Sequence, residues 1–265
     1  MFTKQDIFEQ LKKLNAPRGG IVLMHTSLRS VGAVEGGGEG LLDILIEYFT
    51  EDGGLFIVPT HTWANLGTNK ITLDMTAPWS NLGAFSVIAA NDKRAVNSEN
   101  PTHSVAVFGD REKALRFIEN EANIKTPTSP DSVYGKLFSE GGYVLLVGVD
   151  HSKNTYLHAV AEILGLPDRM SDKPTPVTVK KPNGEVVKKE LYLYDCSFSE
   201  DISWRFPKYE TAFRYRGCIK DGFIGNAPTQ LCDARKMKET VELIWKNADS
   251  DPLKDEKPVK PKFYC

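Results

Sequence analysis

No uninterrupted apolar run in this chain approaches the ~20 residues that a membrane-spanning helix needs, and Met1 to Asp6 lack a basic region leading into an apolar core. Neither a membrane association nor a secretory signal is expected, and the chain reads as a soluble cytoplasmic protein. Cysteine is scarce: Cys196, Cys218, Cys232 and Cys265 form no CxxC pair, so they read as free thiols rather than a disulfide framework or a zinc site. A charge excess is missing too, because 33 Lys and Arg against 35 Asp and Glu leave a net charge of −2 and no basic field for nucleic acid. HExxH, GxGxxG and GxxxxGK[ST] are all absent, which removes the usual compact metal and phosphate signatures, and no bound metal is expected.

What is present is a folding sequence, 41% hydrophobic and 26% charged. Thr3 with Asp6 three residues on, followed by Ile7, Phe8, Leu11 and Leu14, reads as a capped amphipathic helix. Apolar runs of four at residues 21–24, 55–58 and 144–147 each follow a Gly-Gly pair and read as strands covered on both faces. Helical patterns occupy residues 41–49, 82–90, 112–121 and 154–164, so strands alternate with helices and an α/β layered fold is expected. Residues 175–180 and 185–194 flank Lys181-Pro182-Asn183-Gly184, a strong hairpin signal that reads as an antiparallel addition. A last helix is expected over residues 233–247. One domain, residues 1–248, would then be followed by a solvated tail, residues 249–265, rich in Lys and Pro.

In α/β sheets, ligands bind beyond the carboxyl ends of the strands. That rule selects three polar segments: His25 to Gly32, Pro59 to Trp63, and Gly148 to Asn154. The first leads through a glycine-rich bend into a helix and has hydroxyls and backbone N–H groups to offer a phosphate or carbonyl; the alternative is that Ser27 and Ser30 merely cap turns. The third feeds a helix on which Asn154 or Thr155 is a candidate cap and His158 and Glu162 lie one turn apart, close enough for the carboxylate to orient the imidazole; a plain salt link is the alternative. A fourth segment, Asn97 to Gly109, sets His103 and Ser104 at the start of a strand, with no neighbouring acid to complete a triad.

The segments HTSLRSVG, NPTHSVAVFG, SPDSVYGKL, LLVGVDHSKNTYLHAVAE and GFIGNAPTQLCDARKM occur here in that order, and in content and spacing they resemble the aminoglycoside 3-N-acetyltransferase family, which is distinct from the GNAT superfamily. The resemblance covers residues 21–246. It implies an α/β/α three-layer sandwich, here with a mixed sheet and the added hairpin, and transfer of acetyl from acetyl-CoA to a small-molecule amine such as the 3-amino group of an aminoglycoside. Ser27, Leu28, Arg29, Ser30 and Val31 would contact the CoA, with His103 and Ser104 near the thioester. His158 matches the helix histidine that serves as general base, and Glu162 its partner. Asp150 is placed to attract a cationic substrate, and Asp74 and Glu210 are further acids that would have to converge with it. His151 falls at a variable position and reads as loop polarity. The family's usual Arg-Ser-x-His-Pro is replaced by Asn97-Ser98-Glu99-Asn100-Pro101, which removes one cation and one histidine. Two competing readings are a catalytically silent acyl-CoA or small-molecule binder, and a metal-dependent hydrolase using His25, His61, His158 and Glu162.

Overall fold

Continuous apolar runs become the buried strands of a central sheet. The computed structural model describes residues 1–194 and 201–265; Cys196 lies outside the described residues. Strands β1 (Ile21–Thr26), β2 (Leu55–Pro59), β4 (Val96–Asn97), β5 (Val105–Phe108), β6 (Tyr143–Val147), β9 (Ile219–Ile224) and β10 (Ala227–Asp233) form a seven-stranded sheet in the order β4-β5-β2-β1-β6-β10-β9. Its centre is parallel, β1 pairing with β2 and β6, while β4 and β5 on one side and β10 and β9 on the other run antiparallel, so the sheet is mixed.

Alternation along these strands divides the interior into two cores. Val22, Met24, Phe56, Val58, Leu145 and Val147 face α1 (Lys4–Lys13), α3 (Gly37–Thr50) and α4 (Ala84–Asn91). Leu23, Leu55, Ile57, Val144 and Leu146 face the other way, against α5 (Arg111–Ile118), α6 (Val133–Ser139), α7 (Tyr156–Ile163), α8 (Glu210–Tyr215) and α9 (Ala234–Asn247). The α/β/α sandwich is the consequence. Thr3 and Asp6 form the capping box that opens α1, each side chain accepting the other residue's backbone N–H.

A second sheet carries the Asn-Gly hairpin. Strands β7 (Thr175–Lys180) and β8 (Val186–Leu191) pair antiparallel, and β3 (Leu73–Asp74) adds in parallel on β7. The β9–β10 hairpin had no such sequence signal. Its turn is Gly225-Asn226 with Gly225 at φ +58°, the reverse of the Asn-Gly order, and Lys220, Asp221 and Phe223 on β9 are exposed because β9 is an edge strand.

The expected solvated tail is not what the fold contains. Leu253, Val259, Phe263 and Tyr264 are buried in the core shared with α7 and α9, and Asp251 pairs with Arg169 at 2.7 Å with both side chains almost wholly hidden (5% and 4% exposed). Charged residues between these apolar ones stay in water, which lowers the segment's mean hydropathy and conceals its anchors. Leu253→Ala should therefore cost about 2–5 kcal/mol in urea unfolding; an unchanged midpoint would show that the segment does not hold the core.

Candidate functional site

Strands β1 and β6 end side by side, with Thr26 opposite Val147 in the register, and their outgoing loops build the site. Ser27 donates its backbone N–H to Val147 O at 2.9 Å and caps the short helix α2 (Leu28–Val31), its Oγ accepting from Ser30 N (3.3 Å) and Ser30 Oγ (2.8 Å). Across from it Gly148 holds φ +65°, where a Cβ would sit 2.5 Å from that of Ser30, so only glycine lets the two loops approach this closely. Between them opens a cleft of about 740 Å³ lined by Ser30, Asp150, Lys153, Arg214, Phe223 and Gln230, among others.

Residues 148–150, 152 and 153 form one wall of this cleft, and the chain then enters α7, which presents His158 on its first turn. The helix start is not capped by Asn154 or Thr155. Asn154 Nδ2 instead meets His151 Nδ1 at 3.1 Å, and Thr155 donates its backbone N–H to His25 Nε2 at 3.4 Å. His25, at the end of β1, thereby stitches the strand to the catalytic-candidate helix.

His158 belongs to an aromatic cluster. Its ring lies flat on Tyr194, centroids 3.9 Å apart with planes 17° from parallel, and Phe206 meets its edge at 4.9 Å. Tyr194 also touches His103 (5.4 Å), which packs against His61 (4.4 Å), Trp63 and Tyr134. Tyr134 OH and His61 Nε2 are 2.7 Å apart, while His61 Nδ1 is buried without a partner among the described residues. Asn100 is completely buried and accepts the backbone N–H groups of Thr102 and His103, so it shapes the turn that carries His103. Asn97 donates to Ala90 O at 3.0 Å and lies at the sheet edge.

Burial sets the electrostatics. It pushes His158 down to about 4, with Asp201 opposing and Arg169 reinforcing the shift, and His103 down to about 3, helped by His158. His25 falls to about 3 and His151 to about 4 for the same reason, and His61 lies well below its ordinary value. Carboxyls move the other way: burial raises Glu162 against the bonds from Thr126 and Thr128, and raises Glu121 to about 7.

Several expectations need correction. Glu162 does not touch His158; its carboxylate accepts from Thr126 Oγ1, Thr128 Oγ1 (2.5 Å) and Thr128 N (3.2 Å). Three donors in the loop outcompete a neutral imidazole one turn away. His151 is fully buried against Phe213 rather than loop polarity. Asp150 lines the Ser30 cleft and caps its own turn, accepting from Ser152 N (2.9 Å) and Ser152 Oγ (2.6 Å), and among the described residues no hydrogen bond joins it to His158. Asp74 pairs with Lys180 in the small sheet, away from Asp150, whereas Glu210 binds Arg214 and Gln230, which line the same cleft as Asp150, so only Glu210 borders it. Val31 is buried in the core and Leu28 packs on it, while Arg29 is exposed. Ser104 is spent on Thr60, donating to its carbonyl at 2.8 Å. His103 and His158 do come together, through Tyr194. Sequence reasoning missed Tyr194, Thr126, Thr128 and Phe206, none of which sits in a pattern that marks it as more than hairpin, loop or core.

Comparisons with known proteins show the family. The family model for aminoglycoside 3-N-acetyltransferase matches residues 23–244. The chain belongs to that family. It is 28% identical over 272 residues to the SPbeta prophage-derived aminoglycoside N(3')-acetyltransferase-like protein YokD of Bacillus subtilis, covering 95% of each chain, and 27% identical to aminoglycoside N(3)-acetyltransferase IV of Salmonella, covering 90% of this chain and 85% of that one. Among solved structures, AAC(3)-IVa in complex with a gentamicin superposes with a TM-score of 0.74 at 25% identity over 90% of this chain and 86% of that one. AAC-IIIb in a binary complex with CoASH gives 0.77 at 19% identity over 94% and 99%. As a member of this family the chain is an N-acetyltransferase. No group of three or more His, Cys, Asp or Glu side chains suited to a metal occurs among the described residues, and no described helix is long and apolar enough to cross a membrane.

The five histidines make the fold acid-sensitive. Each is neutral when folded and protonated when unfolded below about 6.5, so the unfolded chain binds more protons and stability falls as pH drops from about 6.5 toward 4, by up to ~1.4 kcal/mol per pH unit for each histidine. Glu121 and Glu162, raised by burial, bind protons in the folded state and oppose this only in part. Urea midpoints should decline steadily over that window, and a flat profile would contradict the buried, uncharged state of the histidines.

Proposed function

We propose that the protein transfers acetyl from acetyl-CoA directly to an amine of an aminoglycoside, its 3-amino group, with His158 as general base. The observation that carries this reading is the state of His158: its ring is clamped by Tyr194 and Phe206, yet neither ring nitrogen hydrogen-bonds another described residue, so both are left to a substrate. Depression of its pKa to about 4 keeps the lone pair free at neutral pH. Such a weak base becomes competent once the amine has attacked, because the nitrogen of the tetrahedral adduct is far more acidic than the free ammonium.

Acetyl-CoA would enter the cleft between the two loops, with Ser30 and Arg29 as donor contacts and Lys153 as a nearby cation for its phosphates. Thr102 Oγ1 lies 3.0 Å from His103 Nδ1; with Thr102 donating, His103 carries its proton on Nε2 and can stabilise the oxyanion of the thioester. Glu162 acts at a distance, holding the loop that faces the base. Direct transfer is favoured because Cys218 and Cys232 are buried, their thiols pushed up by that burial, and have no part in the cluster. Acetyl-CoA as donor puts the reaction in the cytoplasm, and cells carrying the protein would gain aminoglycoside tolerance.

Thiol release from acetyl-CoA in the presence of an aminoglycoside panel that includes gentamicin tests the reading. The wild type should release thiol only when both substrates are present. His158→Ala should lower turnover by ~10²-fold or more while CoA at about 100 times its dissociation constant still stabilises the variant by ~2.7 kcal/mol. Binding of CoA with no turnover on any member of the panel would leave a silent binder, and normal turnover by His158→Ala would remove the base.

A further inference from the structure

The strongest feature that the transfer chemistry leaves unused is Tyr194. It follows β8, in an irregular stretch where Ser171 donates its N–H to Leu193 O (2.7 Å), Leu193 N donates to Ser171 Oγ (3.1 Å), and Met170 and Tyr194 form an isolated antiparallel bridge. Two residues before Ser171 is Arg169, anchored by the buried Asp251. The backbone of Tyr194 is thus fastened to the C-terminal segment. Its side chain is fastened at the other end, because its hydroxyl shares a short hydrogen bond with Thr128 Oγ1, which in turn donates to Glu162 Oε1.

We propose that Tyr194 is the positioning residue of this active site: its ring fixes the plane of the His158 imidazole, and Glu162 acts on that imidazole only through Thr128 and Tyr194. The proposal rests on His158 being the base. A flat stack at 3.9 Å with 17° between planes leaves the edge nitrogens of the imidazole open and restricts rotation of the ring about its own bond to the helix. An i,i+4 carboxylate on α7 would have occupied one nitrogen; routing the carboxylate through a hydroxyl and a phenol supports the ring and spends neither nitrogen. Tyr194 also touches His103 at 5.4 Å, so one side chain sets the spacing between the base and the donor to the oxyanion. The charged groups felt at the base are Asp201 and Arg169; His103, near by, is neutral, and Glu162 lies on the same helix.

Three variants separate the parts. Tyr194→Leu removes the stack, Tyr194→Phe keeps it and removes the hydroxyl link, and His158→Ala reports whether the base reading stands. The readouts are kcat and the KM for acetyl-CoA, with histidine-labelled NMR for the ring protons of His158, which the stacked phenol should displace upfield. Tyr194→Leu should lose about 10- to 100-fold in kcat with KM for acetyl-CoA within about twofold, and the upfield displacement should vanish. Tyr194→Phe should keep the displacement and lose about threefold or less in kcat, a rescue by the conservative ring that a general loss of folding would not give. The proposal is overturned if Tyr194→Leu loses the displacement yet keeps wild-type kcat, if the displacement is the same in that variant and the wild type, or if Tyr194→Phe is as impaired as Tyr194→Leu. If His158→Ala turns over normally the base itself is wrong, an outcome distinct from each of these.

Discussion

Desolvation of histidine is the constraint on which this structure turns. Every histidine in the chain has its pKa pushed down by burial, and they stand at or just beyond the ends of neighbouring strands: His25 ends β1, His61 follows β2, His103 precedes β5, and His151 and His158 follow β6. A charged imidazole in that setting would cost several kcal/mol. Neutrality is therefore a condition of the fold, and the same neutrality leaves each ring, His158 among them, a lone pair at physiological pH. The stability and the chemistry draw on a single desolvated layer.

Around that layer the remaining parts follow from where strands end. Parallel β1 and β6 bring two loops together, glycine at position 148 lets them close on one another, and one wall of the cleft between them is the loop that leads into the helix carrying His158. The small sheet and the C-terminal segment supply the other side. Asp251 fixes Arg169, the chain then pairs with the stretch ending at Tyr194, and Tyr194 lies on the His158 ring. Elements that look peripheral in sequence thus reach His158 in a few steps.

Much of this was legible in the sequence, for physical reasons that can be named. Buried parallel strands need uninterrupted apolar runs, and residues 21–24, 55–58 and 144–147 supply them; the Asn-Gly turn announces β7 and β8. The motifs around His103 and His158 mark two rings that the fold brings into one cluster, each touching Tyr194. What stayed hidden depended on long-range choices. The Glu162 carboxylate had a plausible partner four residues away and took threonines 34 and 36 residues away instead. Leu253 and Phe263 sit among lysines, aspartates and prolines that disguise a buried strap as a solvated tail. Tyr194 has no local pattern at all, because its importance lies in a ring it meets only after folding.

A histidine-selective NMR titration from pH 3.5 to 7.5 tests the central claim most directly, since it reads the charge of each imidazole in the folded protein. The desolvated layer predicts that the His158 ring stays unprotonated through neutral pH and titrates near 4, far below the ordinary value of 6.5. A His158 ring that titrates at 6.5 or above would contradict it, and with it the account of why this side chain is free to take a proton.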